Sequence, residues 1–173
     1  MLKVQNSFME KEFLAVYDKH ADAVFRFCYL RLFERELAKD FMQQAFLKTW
    51  EYLGKNSNKE IDNLKAFVFK VARNLIIDYS RAKKENLSVE TMLENGNDLM
   101  AKAEDLNLKI DLQEVKKVLN NLEEMYSEVL NLRYIEGFRP KEIALILNES
   151  EDVVSVRIHR GLKKMKEIIK EID

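Results

Sequence analysis

Residues 136–169 read EGFRPKEIALILNESEDVVSVRIHRGLKKMKEII, and the punctuation of this stretch decides the fold of the chain's C-terminal part. Gly137 suits the end of a preceding helix, because glycine accepts the left-handed conformation found there. Pro140 fits a first helical position, where its missing N–H leaves no bond unmade. Ile143, Ala144 and Leu147 then form a short apolar stripe. Asn148-Glu149 reads as a tight turn, and Ser150 as the N-cap of a long last helix. On that helix Val154, Ile158, Leu162, Met165 and Ile169 recur at helical spacing and predict a packed seam. The opposite side holds Val153, Val156, His159, Arg160, Lys163 and Lys164. A basic face alone also describes a solvated helix. Two short helices around a tight turn favour a helix-turn-helix whose second helix enters a DNA major groove. There arginine takes guanine bidentately and a valine methyl lies against thymine. Gly161 is unexpected in mid-helix, at a cost of ~1 kcal/mol relative to alanine, unless a neighbouring helix passes close by.

The rest of the chain obeys the same helical period. Its 173 residues are 47% hydrophobic and 34% charged, with four glycines and one proline. That is too few turn residues for hairpins or sandwiches, so the expected class is all-α. The periodicity predicts helices over 8–17, 20–32, 34–53 and 63–84, and then over 111–122, 124–135, 139–147 and 151–172. Between the two sets lies an acidic stretch with Asn95-Gly96-Asn97. The expected organisation is an N-terminal helical bundle over 1–85, a linker over 86–109, and a helix-turn-helix four-helix domain over 110–173.

A formal net charge of −1 argues at first against nucleic acid. The charges are segregated, however. From Lys65 to Lys84 the cations Lys65, Lys70, Arg73, Arg81, Lys83 and Lys84 meet Asp78 alone, and Arg157, Arg160, Lys163, Lys164 and Lys166 meet no acid between Ser155 and Lys166. Acids dominate between Glu85 and Asp111. Two basic helices therefore flank an acidic stretch.

Cys28 is the single cysteine, within the apolar run Val24–Leu30, so no intramolecular disulfide or thiolate cluster forms and a buried small hydrophobe is expected. No segment resembles a signal peptide or a membrane span, and a cytoplasmic protein without membrane insertion is expected. His159 has only the distant His20 as a companion. With no His–carboxylate pair at recognisable spacing, no phosphate-binding Gly loop and no ligand cluster, neither catalysis, metal nor cofactor is expected.

In the helix over 63–84, Leu64, Phe67, Val71, Leu75 and Asp78 lie along one side, and Lys65, Phe69, Arg73, Ile76, Ile77, Lys83 and Lys84 along another. Cations interleaved with aromatic rings suit melted DNA, because phosphates pair with the cations and unstacked bases lie on the rings. Apolar residues on two sides also describe a helix packed between others. Phe67 reads as core, and Phe69 fits either role. The helix over 34–53 carries Asp40, Gln43 and Leu47 in an i, i+3, i+7 line, by itself an ordinary solvated face.

Three stretches together resemble the compact two-domain sigma factors of the sigma-70 family, of the extracytoplasmic-function (ECF) type. DFMQQAFLKTW (40–50) is similar to region 2.2, FVFKVARNLIIDYSRAKK (67–84) to regions 2.3–2.4, and GFRPKEIALILNESEDVVSVRIHRGLKK (137–164) to the region 4.2 helix-turn-helix. Their order and spacing extend the likeness over nearly the whole chain. The resemblance implies a subunit that binds core RNA polymerase and directs promoter-specific transcription initiation. Asp40, Gln43, Gln44 and Leu47 would face the clamp helices of the largest polymerase subunit, and the flap of the second subunit would be a further partner. Lys65, Phe69, Arg73, Asn74, Lys83 and Lys84, with the loop over 54–63, would meet the minus-10 element. Arg139 and Lys141, with Ser155, Val156, Arg157, His159, Arg160, Lys163 and Lys164, would contact the minus-35 element. An anti-sigma factor is a further partner the family implies. The chain departs from the family pattern at Gln44 in place of Glu, Phe67 in place of Trp, Arg139-Pro140 in place of a small polar start, and the acids Glu151 and Asp152. The alternative is a stand-alone helix-turn-helix regulator that binds an operator as a dimer.

Overall fold

The computed structural model describes residues 2–56, 61–90 and 121–172. Among these residues the architecture is all-α, without a strand, and the chain divides into two compact units, Met1–Ala103 and Glu104–Asp173. The N-terminal unit contains α1 (Leu2–Leu32), α2 (Arg35–Lys55) and α3 (Leu64–Glu90), each packed against the other two. Val24, Phe27 and Cys28 of α1, Ala45 and Phe46 of α2, and Val68, Phe69 and Ala72 of α3 are almost fully buried between them.

Among its described residues the unit has three helices where the periodicity predicts four. The spacing puts a break between 17 and 20, yet α1 runs through it. Asp18-Lys19 is polar but contains no helix breaker, and both side chains are exposed, so the helix continues with that turn facing water. It ends at Phe33, in the left-handed region at φ 55°, with the Phe33 N–H donating to the Tyr29 carbonyl at 2.8 Å. Asn63 starts α3 by accepting the Ala66 N–H on Oδ1 at 2.9 Å. At its other end α3 reaches Glu90, beyond the 63–84 span the periodicity predicts. Residues 91–109 of the expected linker, the expected helix over 111–122 up to residue 120, and residues 57–60 of the 54–63 loop lie outside the described residues.

In the C-terminal unit α4 (Glu124–Leu130) passes into a π-helical turn, Asn131–Ile135, within what the periodicity reads as one α-helix. The wider turn carries the Glu136 N–H to the Asn131 carbonyl, five residues back, at 3.0 Å. Gly137 then adopts φ 74°, and the Phe138 N–H returns over it to the Leu132 carbonyl at 2.9 Å. Pro140 opens α5 (Pro140–Leu147), and Glu142 Oε2 accepts the Arg139 N–H at 2.8 Å. Asn148 closes the helix at φ 56°. Asparagine is among the few non-glycine residues that tolerate this conformation, and it lets the Glu149 N–H reach the Ala144 carbonyl at 3.0 Å. Ser150 Oγ accepts the Val153 N–H at 3.2 Å and begins α6 (Glu151–Ile172). The acids Glu151 and Asp152 in its first turn suit the positive end of the helix dipole.

Gly161 explains itself here. A Cβ at this position would lie 3.2 Å from Tyr126 Cβ and 3.3 Å from Leu130 side-chain atoms. α6 crosses α4 so closely that a side chain here would have to push these neighbours aside by a few tenths of an ångström. That close packing, centred on Leu130, Phe138, Ile143, Ile146 and Val154, fixes which side of α6 faces outward.

Candidate nucleic-acid interface

Ser155, Val156, His159, Arg160 and Lys163 are all exposed on α6, opposite Val154, which is fully buried. Arg139 and Lys141, at the start of α5, are exposed as well. Cations, two hydroxyl- or imidazole-bearing groups and an apolar valine thus share one solvent-facing strip, in the combination that direct readout of base edges uses.

Two residues expected on that strip are turned to other work. Arg157 is half-buried, and its Nη2 donates to Glu149 Oε1 at 2.8 Å. Lys164 pairs with Glu123, and its Nζ stands 5.0 Å from the centroid of the Tyr126 ring. The hydrogen bond to Glu123 raises the Lys164 pKa, as do the surrounding negative groups. Both cations lie just past Arg160 at the edge of the strip, about 60° round the helix for Arg157 and about 40° for Lys164, within reach of the carboxylates of Glu149 and Glu123. The inward seam also turns. Ile169 is 40% exposed, and Ile168 takes the half-buried place. Fifteen residues at 3.6 per turn drift by about 60° from Val154.

On α3 the residues expected to meet the minus-10 element are spread over buried and exposed positions. Phe69 has no exposure, and its ring lies 5.4 Å from that of Phe27. It is a core residue and offers no face to a base. Phe67, read as core, is only half-buried, and its ring lies tilted against that of Tyr52 of α2, with centroids 4.8 Å apart. The remaining members do not share one face. Lys65, Phe69, Arg73 and Lys83 fall within about 80° on the helical wheel, and Asn74 lies about 180° from Lys65. Lys65 and Arg73 are half-buried, as is Lys83, while Asn74 and Lys84 are exposed. Lys83 Nζ stands 5.9 Å from the centroid of the Tyr79 ring, one turn back.

Asn74 instead lines a groove between α2 and α3 of about 280 Å³, with Lys48, Tyr52, Phe67, Val71, Leu75 and Asp78. Two aromatic rings, an aliphatic floor and one amide with both a donor and an acceptor suit an unstacked planar base. Tyr52 and Lys48 escape a reading of α3 alone, because the groove forms only when α2 lies beside it.

On α2, Asp40, Gln43, Gln44 and Leu47 are all exposed, with Phe41, Ala45, Phe46 and Thr49 buried beneath them. Thr49 satisfies its hydroxyl by donating to the Ala45 carbonyl at 2.7 Å. Gln43 and Leu47 also border an open apolar groove of about 340 Å³ shared with Phe13, Leu14, Tyr17 and Trp50. Leu47 is 57% exposed and Leu14 50%. Exposed apolar side chains gathered in one groove offer a surface on which a partner could bury them. The sequence carried a signal for it in Leu14 and Tyr17, which no core claims.

Neither titratable oddity in the N-terminal unit belongs to these surfaces. Burial pushes the Cys28 thiol up to about 12, against the opposing charge of Arg31. His20 is lowered, first by burial and then by Lys65 and Lys19. Among the described residues no cluster of three or more His, Cys, Asp or Glu could hold a metal, and no helix is long and apolar enough to cross a membrane.

Comparison with known proteins gives the family. Residues 16–85 match the family Sigma-70 region 2, and residues 112–165 match Sigma-70, region 4. The chain is 24% identical over 161 residues to the ECF RNA polymerase sigma factor SigL of Mycobacterium tuberculosis, covering 91% of this chain and 89% of the relative. It is 26% identical over 170 residues to SigW of Bacillus subtilis, covering 92% and 90%. Among solved structures, the sigma factor RpoE of Bartonella quintana, in complex with the anti-sigma factor NepR, has the same fold, with a TM-score of 0.71 and 24% identity over 94% of this chain and 96% of the other. With both halves matched in order by one family, the chain belongs to the sigma-70 family of RNA polymerase sigma factors, of the ECF type.

Proposed function

We propose that this sigma factor directs promoter-specific initiation through three separate surfaces, and acts by binding alone, with no catalytic group. The exposed line Asp40, Gln43, Gln44 and Leu47 on α2 meets the clamp helices of the largest polymerase subunit, with the Leu14–Trp50 groove as its apolar border. The flap of the second subunit engages the C-terminal unit. The α2–α3 groove, lined by Asn74, Tyr52 and Phe67, receives an unstacked base of the opened minus-10 element, and Arg73, Lys65, Lys83 and Lys84 lie around the path of the strand. The outward strip of α6, with Arg139 and Lys141, reads the minus-35 element as duplex. These roles divide the chain into a region 2-like part over 1–85, a linker over 86–109 and a region 4-like part over 110–173. The protein works in the cytoplasm, where its polymerase is. An anti-sigma factor covers these surfaces when initiation is held off.

The observation that carries the reading is the row Ser155, Val156, His159, Arg160 and Lys163, exposed together opposite a buried Val154. Base-contacting side chains have to leave the packed seam on the same side, and these do. Run-off transcription with core enzyme, with and without the chain, tests the function. Specific start sites that appear only with the chain are expected. A chain that core enzyme ignores, while it shifts a palindromic duplex by itself, contradicts the reading and points to a stand-alone regulator.

A further inference from the structure

The Glu149–Arg157 pair spans the turn that joins α5 to α6. The backbone at Glu149 is held by its own N–H bond to the Ala144 carbonyl at 3.0 Å and by the Ser150 cap that follows. Its carboxylate is therefore aimed along the start of α6, where it meets the Arg157 guanidinium at 2.8 Å. The two side chains keep 36% and 23% of their surface exposed. An ion pair so accessible contributes little to stability, and the caps already close the turn. Arg157 lies about 60° round the helix from Arg160, at the border between the seam and the outward strip.

The geometry points to Glu149 as a negative determinant of DNA affinity. In the free chain its carboxylate occupies an arginine at the edge of the outward strip, and a DNA phosphate has to take that guanidinium over. This rests on the reading of α6 as the duplex-contacting helix. Phosphate contacts carry affinity without sequence information, so the brake acts alike on promoter and non-promoter duplex. Its use is physical. An upstream module that binds weakly by itself is not titrated by the excess of non-promoter DNA, and takes its position from the polymerase.

Holoenzyme reconstituted from core polymerase and the full chain tests this, with dissociation constants measured against salt for a promoter fragment and for an unrelated duplex. Glu149→Gln is expected to tighten both by about three- to tenfold and to steepen the log–log salt dependence by about 0.9, the value of one added phosphate contact. Adding Arg157→Ala to Glu149→Gln removes the gain. A silent Glu149→Gln overturns the proposal, and so does a gain that survives in the double variant, because general repulsion would then be its cause. Arg160→Ala in the same assay separates the two levels of inference. If it weakens promoter binding while Glu149→Gln is silent, the DNA reading stands without the brake, and if both are silent the DNA reading itself fails.

Discussion

Helices α3 and α6 carry similar inventories of cations and apolar residues, yet the two sequences are not equally readable. α3 buries Leu64, Ala66, Val68, Phe69, Ala72 and Ile76 between α1 and α2, whereas among the described residues α6 buries only Val154 and Gly161. A helix with one narrow buried strip shows its period plainly, and the residues opposite that strip are outward by geometry. A helix packed over a wide arc has apolar residues on several sides. Its few exposed positions are then decided by which neighbour ends before which side chain.

The comparison breaks most visibly at the two phenylalanines of α3. Phe69→Ala leaves a cavity against Phe27, 5.4 Å away, and should cost ~3–5 kcal/mol with a large fall in Tm. Phe67→Ala should cost roughly 1 kcal/mol, but should impair promoter opening, read as permanganate reactivity of the minus-10 strand. If the two variants exchange phenotypes, the placement of these rings is wrong. On α6, Gly161→Val sets a branched side chain against Tyr126 and Leu130 and should destabilise by ~1–3 kcal/mol, measured by thermal unfolding. Arg160→Ala should leave Tm unchanged and reduce promoter discrimination by about 1–3 kcal/mol, seen as loss of preference for promoter over unrelated duplex.

Neighbouring lysines sharpen the contrast. Lys163→Ala should lower the salt dependence of DNA binding by about 0.9 in the log–log slope, and Lys164→Ala should leave the slope unchanged, because Lys164 is engaged by Glu123. The smallest effect concerns His20. Its pKa is lowered from 6.5 in the folded chain, so the unfolded chain takes up a proton first as pH falls. Stability should therefore rise with pH up to about 6.5 and level off above it. His20→Gln should flatten that dependence, and an unchanged profile would show that burial at this position does not govern its titration.

Legibility followed the same division. The turn chemistry at Gly137, Pro140 and Ser150 could be read directly, because each residue type has a specific backbone conformation or hydrogen bond that it favours. The all-α class followed from the scarcity of glycine and proline. The line Asp40, Gln43, Leu47 was visible as a face, though only the family likeness gave it a partner. Other features needed the third dimension. The continuity of α1 past Asp18-Lys19 was hidden because polar residues on one turn imitate a break. The π-helical turn after Leu130 left no mark in the spacing, and Ile169 looked inward only because the drift of 3.6 residues per turn accumulates over the length of α6. The two grooves draw their walls from two helices each, so no single-helix pattern could show them. Arg157 and Lys164 looked like free cations until Glu149 and Glu123 were brought beside them.

The central claim is that the strip through Val156 enters a DNA groove once the polymerase holds it there. Cys28 is fully buried and its thiol is pushed up to about 12, so a Val156→Cys variant offers one reactive thiol for a tethered iron chelate. In a promoter complex with holoenzyme, the account predicts hydroxyl-radical cleavage of both strands confined to the minus-35 region. Transcriptionally active complexes with no upstream cleavage from this position would contradict it.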